Sequence, residues 1–137
     1  MNSVTQIEEI IRSFWASDPS NSLQLATAEK AWLEPQLAIA RGDDPLFLRI
    51  KELIGPFLWT PQEAYAQAFP EAPADAEELR VISYLLPQTP ETRADQRQET
   101  TVPAERWARS RFHGEEFNCE LRLHLAAALT QLGYPSV

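Results

Sequence analysis

Phe117, Leu121, Leu125, Ala128, Leu129 and Leu132 recur at three- and four-residue steps, and this period predicts the buried stripe of a helix over 119–132. Gly133 supplies a helix stop, and Pro135 prevents resumption. At the other end of the chain Val4, Ile7, Ile11, Phe14 and Trp15 predict a helix to about residue 15, opened by a Ser3 to Gln6 capping box and closed by a turn over 18–22. Residues 1–26 then form an N-terminal helical arm. Leu37 to Ala40 reads as a short strand. Asp44 with Pro45 at the first helical position starts a helix whose buried face is Leu46, Phe47, Ile50, Leu53 and Ile54, and Gly55-Pro56 closes it. Thr60 and Glu63 form the capping box of a further helix to about residue 69, and the acidic, proline-bearing 70–78 stretch is a surface connection.

Leu79 to Leu86 is the best strand, with apolar residues on both alternating faces, which predicts a sheet covered on both sides. Residues 87–103 follow as a long polar loop, at the position where open α/β sheets carry ligands. Strand, loop and long helix make the first two thirds of a βαβ unit, whose second strand should begin where the chain ends, at Pro135-Ser136-Val137. The expectation is a single α/β domain over 1–137, with α+β as the alternative, helix-rich and with few strands. It is the N-terminal part of a larger protein, truncated before the next strand. The open strand edge would then invite self-association.

Composition narrows the functions more than the fold. The 137 residues are 44% hydrophobic, enough for a core. The net charge is -8, and all of the acidic excess lies before Thr92, since six arginines balance six acids from there on. An acidic body argues against duplex DNA, which needs a broad basic face. A single cysteine, Cys119, excludes an internal disulfide and any all-cysteine metal or iron-sulfur site built by this chain alone. No signal peptide and no apolar run approaching ~18 residues is present, so a soluble cytoplasmic protein without membrane contact is expected.

The densest chemistry lies in residues 106–118, where three arginines, a tryptophan, a histidine and two glutamates run directly into the apolar helix. Arginine forks onto phosphate or carboxylate, tryptophan offers a face to a flat ring, and histidine binds metal or moves protons. The same residues also read structurally. Arg109 and Arg111 would pair with Glu105, Glu115 or Glu116 at helical spacing, while Trp107 and Phe112 pack inward. His124, with apolar neighbours, reads as a core or boundary residue, and Cys119 as a small core filler.

The Val81-Ile82-Ser83-Tyr84-Leu85-Leu86-Pro87 strand, paired with the later Arg106-Trp107-Ala108 and Phe112-His113-Gly114-Glu115-Glu116-Phe117-Asn118 segments, resembles the N-terminal region of epoxyqueuosine reductase-like proteins, relatives of reductive dehalogenases. Gly42-Asp43-Asp44-Pro45-Leu46-Phe47 and Trp59-Thr60-Pro61 are similar to a subgroup described as iron-sulfur oxidoreductases. The resemblance implies a nitroreductase-like domain that cradles cobalamin, then iron-sulfur clusters, in an enzyme of queuosine tRNA modification. It also implies tRNA or a small molecule as substrate of the full-length form. Arg106, Trp107, Arg111 and His113 are the cofactor-binding residues it carries over. The cluster cysteines and the proton-donating acid of that family lie beyond the equivalent of Val137, so this chain alone is expected to be inactive, with no catalytic or metal residue and no cofactor of its own. The second expectation is a non-catalytic cytoplasmic α/β protein-interaction module.

Overall fold

Helices and strands are mixed in the computed structural model, which describes residues 3–137. In chain order they are α1 (Ser3–Ser17), β1 (Gln36–Arg41), α2 (Pro45–Ile54), α3 (Pro61–Ala68), β2 (Arg80–Leu85), α4 (Pro90–Gln98) and α5 (Glu105–Gln131). The chain forms two compact units, one of residues 1–36 and 85–135 and one of 37–84 and 136–137.

The first unit is built on α5. Its buried stripe runs Ser110, Gly114, Phe117, Leu121, Leu125 and Leu129, so the predicted period holds and extends two turns further toward the N-terminus. Leu132, expected in the stripe, is exposed past the helix end. There Gly133 has φ +90°, and the amides of Gly133 and Tyr134 donate back to the carbonyls of Thr130 and Leu129. This pair of bonds is the left-handed helix stop that glycine permits. α1 packs on α5 through Phe14, whose ring lies 5.6 Å from Phe117 and stacks at 4.6 Å on His124, making that histidine an exposed boundary residue. The capping box read at Ser3 falls on a side chain outside the described residues.

Between α1 and β1 the chain has no regular structure and is held by side chains. Asn21 brackets Trp32, accepting from its amide at 3.0 Å and donating to its carbonyl at 3.3 Å, and Trp15 Nε1 donates to the same carbonyl. Trp32 also bridges to Gln88 just before α4.

In the second unit β1 and β2 pair as a two-stranded antiparallel sheet. Gly42 closes β1 where a Cβ would lie 2.6 Å from the Ala76 carbonyl oxygen. The predicted caps hold. Asp44 accepts from the Leu46 amide at 2.9 Å, and Thr60 and Glu63 form a reciprocal capping box.

Four expectations are corrected. The parallel βαβ unit is replaced by antiparallel pairing of β1 with β2 through the connection that carries α2 and α3, so no crossover strand at 135–137 is required and none forms. β2 is accordingly half-exposed rather than covered on both sides. The 87–103 loop contains α4, capped by Thr89, which accepts from the Thr92 amide, with Pro90 at the first position. Its nine residues, PETRADQRQ, carry almost no apolar side chain, so periodicity could not reveal it. Finally, the predicted buried face of α2 is not buried: Leu46, Ile50, Leu53 and Ile54 are exposed and Phe47 is half-buried.

Candidate interaction surface

α5 takes in the whole arginine-rich stretch, and helical geometry decides what those residues can do together. At about 100° per residue, Arg106 and His113 fall on one edge of the buried stripe and Trp107 and Arg111 on the other. The four residues carried over as cofactor-binding therefore straddle the core and do not converge.

Each has its own setting. Arg106 is shared between Glu29, at 2.8 and 3.2 Å, and Asp95 of α4, at 2.5 Å. The hydrogen bond from Arg106, then one from Thr27, hold the Glu29 carboxyl down to about 2, and the two carboxylates raise the arginine. Arg106 thus ties α4, α5 and the irregular 18–33 segment together. Trp107 is half-buried, and its carbonyl accepts from buried Ser110, whose hydroxyl in turn accepts from Gln88. His113 is half-buried, with Nδ1 3.4 Å from Glu116 and its ring edge-on to Phe112. Arg111 is exposed and has no ion pair among the described residues. Arg109 pairs with Glu105 one turn earlier, as the spacing predicted, and also donates to the carbonyls of Leu23 and Gln24. Phe112, expected in the core, is 70% exposed. Cys119 is partly exposed. No group of three or more His, Cys, Asp or Glu side chains is placed to hold a metal ion among the described residues.

Sequence reasoning missed the pair that holds this region in place. The Trp32 indole lies against Gly114 and donates to its carbonyl at 3.0 Å. A Cβ on Gly114 would sit 2.6 Å from the indole ring. A glycine in the middle of a strong helical period was the available signal, since such a glycine marks a close approach.

The most unusual surface of the molecule is on α2. Leu46, Ile50, Leu53 and Ile54 lie at i, i+4, i+7 and i+8, which is one side of a helix, yet they are 43% to 72% exposed. Gly55, with φ +152°, returns the chain so that the Phe57 ring crosses the end of the helix, close enough that a Cβ on Gly55 would meet it at 2.4 Å. Phe57 is itself exposed. Arg49 flanks the stripe and Glu52 lies toward the opposite face of the helix, neither with an ion pair among the described residues, whereas Lys51 is held by Glu63. A shallow cavity of about 420 Å³ lies beside that ion pair, lined by Lys51, Pro56, Trp59, Glu63, Ala66 and Gln67. Its two charged groups, Lys51 and Glu63, are paired with each other.

Comparison with family models, with curated proteins and with solved structures gives no match for this chain. No helix among the described residues is long and apolar enough to cross a membrane.

Proposed function

We propose that this chain is a non-catalytic protein-interaction module that docks another polypeptide on the α2 stripe. The observation that carries the reading is the exposure of four large aliphatic side chains on one side of α2. Apolar surface is favourable to remove from water at about 25 cal/mol per Å², and a contiguous patch of this kind on a polar body is the usual mark of an interface. A helix with such a stripe offers a partner helix the spacing of side chains that helix-on-helix packing uses.

The same geometry weighs against reading the chain as the corrinoid-holding front part of an epoxyqueuosine reductase-like enzyme. That expectation rested on Arg106, Trp107, Arg111 and His113. Arg106 is neutralised by two carboxylates, and the others lie on both sides of a buried stripe. The lone, partly exposed Cys119 fits a reducing compartment, and the reading puts the module in the cytoplasm.

A photoreactive residue in place of Leu53, in cells making the full chain, tests the proposal. The expected result is a cross-link to a polypeptide that disappears when Leu46→Asp is added. Absence of any polypeptide cross-link, together with saturable cobalamin binding that Arg111→Ala abolishes, would overturn it in favour of the reductase reading.

A further inference from the structure

We draw no further inference here: the strongest candidate, the exposed Leu46, Ile50, Leu53 and Ile54 stripe on α2, belongs to the interaction surface already described, and nothing in the structure shows what covers it.

Discussion

At the residue scale, Arg106 and Gly114 are explained by partners distant in sequence. Arg106 gathers Glu29, 77 positions away, and Asp95, 11 positions away, into one part-buried cluster. The unfolded Glu29 carboxyl takes up its proton near its ordinary value of 4.5, whereas the folded one resists until about 2. Between those values the unfolded chain binds more protons, so the stability this pair contributes is fully present above the upper value and is lost as pH falls to the lower. Urea unfolding midpoints across that window should fall less steeply for Glu29→Gln than for the wild type, since the amide does not titrate there. Equal slopes would show that the pair contributes nothing to the acid limb. Gly114 poses the opposite problem, because local preference and packing disagree. Alanine is better than glycine in a helix interior by about 1 kcal/mol. Its methyl group, however, would lie 2.6 Å from the Trp32 indole, and overpacking of a buried site costs about 1–3 kcal/mol or more. Gly114→Ala should therefore lower the free energy of unfolding by up to about 2 kcal/mol in urea titration, with a shift in tryptophan fluorescence. A gain in stability would mean that the 18–33 segment moves aside without cost.

At the element scale, the legible elements are those that carry their reason locally. α5 announced itself by the step from Phe117 to Leu121 to Leu125, because that stripe is in fact buried and a buried stripe must repeat with the helix. The Thr60 capping box and the Asp44 cap were readable because each bond closes within three residues. α4 was not readable. Apart from Pro90 and Ala94 its residues are polar, and it is anchored by Thr92, by Asp95 bonding Arg106 and by Gln96 accepting from the Ala104 amide. Its Thr89-Pro90 start repeats the chemistry of Thr60-Pro61, and only a start signal without a following apolar period was available. α2 shows the reverse limit. Its period was legible as Leu46, Phe47, Ile50, Leu53 and Ile54, but a period states which residues share a side and does not supply the element that covers them; only Phe47 is half-buried. The same holds for β2, where apolar residues on both faces pointed to a covered parallel sheet that the antiparallel partner β1 replaces. The arginine-rich site was half legible. The Arg109 to Glu105 pair followed from spacing, while the partners of Arg106 have no local signature.

At the scale of the whole molecule, the buried apolar side chains are unevenly distributed. Among the described residues, Ile11, Leu23, Ala31, Trp32, Ala104, Phe117, Leu121, Leu125 and Leu129 all belong to the first unit, and none to the second. A fully buried large side chain stabilises by roughly 1.5 to 3 kcal/mol, as an upper estimate, so the first unit holds most of the hydrophobic stabilisation. The second unit relies on a two-stranded sheet, which is marginal by itself in water, and on two short helices with no buried residue. Regions with few buried apolar contacts open at free energies well below global unfolding. Native-state hydrogen exchange should therefore show the amides of Ile39, Ile50 and Ile82 exchanging through an opening that is weaker, and less dependent on denaturant, than the one that frees Leu121 and Leu125. Identical opening free energies in both sets would mean that the two units unfold as one. Partner binding adds a second axis to the same measurement. Whatever covers the α2 stripe supplies the second unit with the apolar burial it lacks, and binding only to the closed form raises its opening free energy by mass action. Protection at Ile50 should therefore rise when a polypeptide that cross-links at position 53 is added, while protection at Leu121 stays level; equal protection at Ile50 with and without it would count against docking on the stripe.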